Sequence, residues 1–427
     1  MGTYLNGRCH RTGKATSGTT PIGTRSRAFC IVAGVVDTIC HIITKLELGG
    51  AQEVALHVVS HLDPTKYRAV LISGPGGLLT EEAQRLPHVE VTIVPALGRT
   101  IHPFADLVAF IQLTKLLRRV RPSIVHTHSS KAGILGRWAA WFADVPVIVH
   151  TIHGYGITPV QPRWLRHLLL MVERITGWIT TQWIAVSQAD IEKGRAWRLF
   201  RNNVLLVRPG IDPRPFQEGL VSTDRERLRR ELGAEPGTRL IGTVACLKPQ
   251  KAPEDFIEVA KLVTQSLPNI RFVLVGDGEL RATIESMIVR HHLHDCVHLT
   301  GWRRDIPSVM HAFDVFLLTS HWEGLPRVLL EARVVGLPIV ATNVGGADEV
   351  VVGEAIGELC QAGDINGLAN TLIRILSSPV KPSEARRADP SLLPREFHIS
   401  ETVLQYERLY DRLLNPDHDG MTHRLAA

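Results

Sequence analysis

Ser320-His321-Trp322-Glu323-Gly324-Leu325-Pro326-Arg327-Val328-Leu329-Leu330-Glu331-Ala332 sets two carboxylates on either side of a predicted helix start. Pro326 has its φ pre-set for a first helical turn, and Val328, Leu329 and Leu330 give the helix an apolar run to bury. Glu323 then precedes the helix, and Glu331 lies roughly one and a half turns inside it. The free amides between them, reinforced by the helix dipole, form an anion site. Such a unit holds a diphosphate while a carboxylate on each side accepts hydrogen bonds from hydroxyls. A capped helix carrying two solvated glutamates has the same spacing, so the flanking residues must decide.

Gly336-Leu337-Pro338-Ile339-Val340-Ala341-Thr342 reads as a turn and a buried strand, and Asn343-Val344-Gly345-Gly346-Ala347-Asp348-Glu349 as a glycine loop ending in acid. Two glutamates with seven residues between them, a Gly-x-Pro strand and a Gly-Gly-x-x-Glu loop resemble the retaining glycosyltransferases of family four, which have the GT-B fold. Leu46-Glu47-Leu48-Gly49-Gly50-Ala51-Gln52 is similar to that family's N-terminal glycine loop. His126 to Gly133 and Thr151-Ile152-His153-Gly154 are similar to its first-domain segments, and Val275 to Glu279 and Gly301-Trp302-Arg303 to its second-domain turns. The resemblance runs in family order from about residue 39 to 415.

A chain of 427 residues exceeds one ordinary core, and apolar runs alternating with helical stretches favour parallel sheets covered by helices. The expected class is α/β, with two Rossmann-like domains facing a central cleft. The first domain is expected at 37–208, opening with a strand at Ile39–Thr44. Pro209-Gly210-Ile211-Asp212-Pro213 reads as the linker, and a buried strand at Arg239–Val244 opens the core of the second domain, 209–385. His126–Leu135, Val145–Thr151 and Ile270–Gly276 fit strand-then-loop units, and Pro379–Pro394 a connector. Val403, Tyr406, Leu409, Tyr410 and Leu413 keep helical spacing, so the resemblance implies a return helix over 395–415 packing on the first domain. Residues 1–36 have little periodicity and read as a disordered leader, although Arg25 and Arg27 before Ala28–Val36 imitate a signal peptide. Gly7–Lys14 lacks the spacing and the Ser or Thr of a phosphate loop.

The resemblance implies roles residue by residue. Lys251 is the donor-phosphate lysine, a cation that offsets charge on the departing diphosphate. The family's neighbouring arginine is absent, because Cys246 occupies its position; Lys248 is the first candidate to supply that charge and Arg327 the second. Glu323 holds donor-sugar hydroxyls and Glu331 the ribose hydroxyls, since ionised carboxylates only accept hydrogen bonds. The backbone of Gly324, Leu325, Pro326, Arg327 and Val328 surrounds the phosphates, approached by Gly49 and Gly50, which lack a Cβ. Trp302 and Arg303 line the nucleobase pocket, and His153 stands near the transferred sugar. His126, His128 and His150 invite a zinc reading, but no Cys or carboxylate completes a ligand set. No metal or cofactor is expected, the nucleotide-sugar being a substrate.

The net charge of +6 hides an asymmetry: residues 1–208 hold 24 Lys and Arg against 12 Asp and Glu, net +12, and residues 209–427 hold 24 against 30, net −6. Lys115–Arg121 (KLLRRVR), Arg163–His167 (RWLRH) and Arg195–Arg201 (RAWRLFR) mix cations with apolar groups. That mixture suits peripheral binding to anionic lipid, and equally an ordinary solvated helix face. Six cysteines without a Cys-x-x-Cys pair point to reduced thiols and a cytoplasmic setting, and the basic first domain to peripheral association with the inner face of the cytoplasmic membrane. The expected partners are a UDP- or GDP-linked sugar and a lipid-linked or polysaccharide acceptor; no nucleic-acid motif accompanies the charge. A sugar-nucleotide epimerase of the same fold and a non-catalytic binding subunit are the rival readings.

Overall fold

Strand β1 (Asp37–Ile43), buried over its last five residues, and β4 (Ile124–His128) and β5 (Val147–Ile152), buried throughout, need cover on both faces. The computed structural model describes residues 36–158, 160–217, 222–353, 356–377 and 393–416. The expected leader up to residue 35, and the connector up to residue 392, lie outside these.

The first sheet adds β2 (Tyr67–Ser73), β3 (Val89–Ile93), β6 (Gln182–Ala185) and β7 (Val204–Leu206), in the order β3-β2-β1-β4-β5-β6-β7. The second contains β8 (Arg239–Val244), β9 (Ile270–Val275), β10 (Val297–Gly301), β11 (Val315–Leu318), β12 (Ile339–Thr342) and β13 (Gly357–Cys360), in the order β10-β9-β8-β11-β12-β13. Every strand pair is parallel. Both orders reverse direction once, between β1 and β4 and between β8 and β11. Ligands of open α/β sheets bind outside the carboxyl ends of strands at such switch points.

Local chemistry departs from expectation in three places. The first strand begins at Asp37 and ends at Ile43, before Thr44. His126–Leu135 is not a strand and loop: β4 stops at His128, Ser129 turns the chain at φ 63°, and a helix runs Ser130–Phe142. Thr44 Oγ1 and Ser129 Oγ, 2.7 Å apart, tie that turn to the end of β1. Pro326 lies outside the helix Arg327–Val335 as its N-cap, with φ −75° and ψ 91°. Its carbonyl takes the Leu329 N–H at 3.0 Å, and no side chain caps the helix start.

The helix Ile399–Leu414 buries Val403, Tyr406, Leu409 and Tyr410 in one cluster with Val54, Val58 and Tyr67 of the first domain. Each such apolar side chain contributes about 1.5–3 kcal/mol on burial. The same helix grips the linker. Gly210 N–H donates to Thr402 Oγ1 at 2.9 Å, and Ile211 N–H to the Phe397 carbonyl at 2.9 Å. A Cβ on Gly210 would lie 2.3 Å from the His398 carbonyl carbon, so the approach requires glycine.

Candidate active site

On the second domain, the carboxylate of Glu323 is the centre of a polar cluster. Lys251 Nζ donates to its Oε1 at 2.5 Å, Ser320 Oγ to the same oxygen at 2.7 Å, and Gln250 Nε2 to Oε2 at 3.1 Å. These residues come from the turns after β8 and β11, the two strands flanking the switch point. Thr319 Oγ1 fixes the Lys251 loop through the carbonyls of Lys251 and Ala252. The uncapped start of the Arg327–Val335 helix follows at once, so cation and amides share one small region.

Glu331, on the first turns of that helix, is shaped by a different balance. Burial pushes its carboxyl up to about 7 and Glu53 adds to the rise, while Arg327 pulls the other way. Arg327 Nη1 donates to Glu53 Oε2 at 2.6 Å and reaches the Gly50 carbonyl at 3.4 Å, bridging the two domains. A Cβ on Gly50 would sit 3.4 Å from Arg327 Cδ, which makes the glycine loop the floor for that side chain. Arg327 is thus committed to Glu53. Lys248 is depressed below the ordinary lysine range, first by burial and then by the charge of Lys251, whose backbone N–H donates to the Lys248 carbonyl at 2.9 Å in the same turn.

The first domain contributes imidazoles. His153 Nε2 lies 3.0 Å from His128 Nδ1, and His128 Nε2 lies 3.0 Å from His41 Nδ1. Burial lowers His153 to about 4 and His41 to about 3, so both are neutral at physiological pH. Glycines let the domains touch here. A Cβ on Gly324 would lie 2.7 Å from the His153 carbonyl carbon, and one on Gly345, at φ 58°, would lie 2.3 Å from the Gly324 carbonyl oxygen. Glu349, which ends that glycine loop, accepts from the Gln188 N–H at 2.6 Å and from Arg208 Nε at 2.7 Å.

The structure therefore gathers Lys248, Lys251, Glu323 and the helix start, and sets His153 against Gly324. Gly50 faces Arg327, whereas a Cβ on Gly49, the N-cap of the helix Gly50–His61, would meet Gln52. Trp302 is exposed, and Arg303 holds Asp305 and Glu231; no hydrogen bond among the described residues joins either to Lys251, Glu323 or Glu331. The histidine grouping also differs from the zinc reading. The third member is His41, with His126 and His128, whereas His150 bonds Thr127 and packs edge-on against Trp183. Sequence reasoning missed Glu53 and Arg99. Arg99 pairs with Glu47 at 3.3 Å; burial raises the Cys246 thiol, and Lys248 and then Arg99 oppose that rise, so a cation of the first domain acts on the position of the missing arginine.

Residues 48–214 match the model for Glycosyltransferase Family 4, and residues 224–390 that for Glycosyl transferases group 1. A UDP-Gal:alpha-D-GlcNAc-diphosphoundecaprenol alpha-1,3-galactosyltransferase of Escherichia coli is 33% identical over 383 residues, covering 88% of this chain and 97% of that protein. The capsular polysaccharide biosynthesis glycosyltransferase CapM of Staphylococcus aureus is 24% identical, covering 72% and 80%. Among solved structures, Anabaena Alr3699/HepE in complex with UDP-glucose superimposes with a TM-score of 0.74 at 21% identity, covering 88% and 99%. WaaG, a glycosyltransferase involved in lipopolysaccharide biosynthesis, superimposes with a TM-score of 0.65 at 18% identity, covering 90% and 99%. Both likenesses show the GT-B fold, and with the family models and the Escherichia coli relative they establish that this chain belongs to glycosyltransferase family 4.

Proposed function

We propose that this glycosyltransferase moves a hexose, with retention of configuration, from a UDP-sugar to a lipid-linked saccharide acceptor. The observation that carries the reading is the Lys251–Glu323 pair beside an uncapped helix start, with Glu331 further along the same helix. Lys251, the helix amides and the neighbouring Lys248 offset charge as the diphosphate departs, a contribution largest in the transition state. Glu323 accepts from hydroxyls of the transferred sugar, His153 meets the sugar from the first domain, and Glu331 accepts from the ribose. The acceptor hydroxyl attacks from the leaving-group face, and its proton passes to the departing phosphate oxygen. This cation set makes a divalent metal unnecessary, so rates should survive chelator; activity restored only by added metal would overturn that part.

UDP is preferred over GDP because the 33% identical relative is described as using UDP-Gal. Its diphosphoundecaprenol-linked acceptor supports a lipid-linked substrate here. No helix among the described residues is long and apolar enough to cross a membrane. The helix Arg163–Gly177 supports peripheral contact instead: Trp164, Leu168, Met171, Ile175 and the following Trp178 form an exposed ridge at alternating steps of four and three. Arg163 and Arg174, both exposed, run along one side of it, an arrangement suited to the interface of anionic lipid.

Thermal stabilisation by UDP-sugars against GDP-sugars tests the donor, since a ligand of the folded state raises apparent stability by mass action. Product analysis with and without acceptor then tests transfer against epimerisation. Stabilisation by GDP-sugars alone would sink the UDP assignment. Equal sedimentation with neutral and anionic vesicles, unchanged in Trp164→Ala, would sink the membrane contact.

A further inference from the structure

Beneath His153 lies a single file of buried hydrogen-bonding groups that the transfer reaction does not itself use. Tyr410 OH, on the return helix, is 3.1 Å from His41 Nε2 and 2.6 Å from His126 Nδ1. His41 Nδ1 meets His128 Nε2 at 3.0 Å, and His128 Nδ1 meets His153 Nε2 at 3.0 Å. On the other arm, His126 Nε2 meets Thr151 Oγ1 at 2.7 Å. His41, His126 and His128 are fully buried, and burial keeps every ring in the file neutral.

A neutral imidazole has one N–H and one lone pair. Each ring that accepts through one nitrogen must therefore donate through the other, and the tautomers along the file are locked together. Two concerted directions satisfy the file, and the contact lengths favour the one in which Tyr410 O–H donates to His126 Nδ1 at 2.6 Å, His126 Nε2–H donates to Thr151 Oγ1 at 2.7 Å, and His41 Nε2–H donates to the phenol oxygen at 3.1 Å. His41 Nδ1 is then bare and accepts from His128 Nε2–H. His128 Nδ1 in turn accepts from His153 Nε2–H. The remaining nitrogen, His153 Nδ1, has no protein partner among the described residues.

We propose that Tyr410, acting through His41 and His128, holds His153 as the Nε2–H tautomer, so that its bare Nδ1 is a fixed acceptor for a hydroxyl of the donor sugar. Tyr410, His41 and His128 are positioning residues; only His153 touches substrate. The proposal rests on the reading that places His153 at the transferred sugar. Zinc held by His41, His126 and His128, whose ligand atoms lie within 4.8 Å of one another, would need the lone pairs that the file already uses.

The test is the imidazole nitrogen spectrum of the full chain labelled at histidine, with the His153 signals identified by their loss in His153→Gln. The wild type should show His153 protonated at Nε2 and bare at Nδ1. In Tyr410→Phe, His41 Nε2–H loses its acceptor; the file should reverse and His153 should appear protonated at Nδ1. Tyr67→Phe, which alters a ring packed edge-on against Tyr410 but outside the file, should leave the tautomer unchanged. Tyr410→Phe should lower kcat about tenfold with donor KM held within about twofold, because a fixed acceptor has become a donor. Wild-type His153 protonated at Nδ1 overturns the proposal even if no variant folds. An unchanged tautomer in Tyr410→Phe overturns the relay alone, and so does stoichiometric zinc in the purified chain. Full activity in His153→Ala overturns the sugar contact on which the proposal depends.

Discussion

The two walls of the cleft use opposite electrostatics. On the second domain Lys251, Lys248, Glu323 and Arg327 confront one another, and Lys251 and Arg327 are in direct ion pairs. On the first domain His41, His126, His128 and His153 are neutral, because burial without a carboxylate partner disfavours the imidazolium. The ionic wall is suited to a ligand whose charge changes during reaction, and the neutral wall to a ligand made of hydroxyls. A diphosphate-sugar presents both, one at each end.

Acid should break this comparison most forcefully. The unfolded histidines titrate near 6.5, whereas His41 titrates at about 3 and His153 at about 4 in the folded chain, with His126, His128 and His150 well below their ordinary value. These are depressed groups, so their contribution is in place above pH 6.5 and is lost as pH falls toward 3. Each fully depressed histidine costs about 1.4 kcal/mol per pH unit within that window. Glu331 works in the other sense: raised to about 7, it favours the folded state below 4.5 and loses that contribution as pH climbs to 7. The histidines outnumber it, and urea unfolding should show a net loss of roughly 3 kcal/mol or more from pH 7.5 to 5.5. A flat profile would mean that the first-domain wall is charged or open to water.

On the ionic wall the two glutamates should separate kinetically. Glu323→Ala should lower kcat about a hundredfold, since it removes the proposed contact to the reacting sugar and leaves Lys251 without its partner. Glu331→Ala should chiefly raise donor KM, by about tenfold, because its proposed contact is to the spectator ribose. Donor affinity in the wild type should also rise about tenfold between pH 6 and 8, as Glu331 ionises through about 7 and becomes a pure acceptor. Glu331→Gln should flatten that profile. Wild-type-like kinetics in both alanine variants would remove the distinction.

The smallest effect sharpens how the missing arginine is replaced. Lys248→Ala should cost about tenfold or less in kcat and Cys246→Ala almost nothing, with Cys246→Arg partly rescuing the Lys248→Ala rate. Initial rates at saturating donor decide it. Full activity in Lys248→Ala would pass the role to Arg99, whose 3.3 Å pair with Glu47 is looser than the 2.6 Å pair of Arg327 with Glu53.

Much of the architecture was legible because local pattern and local structure agree. The apolar run Arg239–Val244 is β8 with the same bounds, and the helical spacing of Val403, Tyr406, Leu409 and Tyr410 matches the face that Ile399–Leu414 buries. The histidine grouping was legible only in part, and strand parity explains the error. Side chains alternate across a sheet, so His126 and His128 share one face of β4 while Thr127 points to the other. His41 is in register with His126, and His150 with Thr127, which puts His41 in the group and His150 on the opposite face. An isolated histidine in the apolar strand DTICHII gave no sign of this.

The sequence by itself determined the family, the parallel α/β class and the loops that bear the chemistry, because glycines, prolines and paired carboxylates at fixed spacing act within a few residues of one another. Only the tertiary structure decided which of those groups are charged and which are neutral. Lys251 meets Glu323 across 72 residues and Tyr410 meets His41 across 369. Burial and strand register, set by such distant contacts, make one wall of the cleft ionic and the other a file of neutral hydrogen bonds.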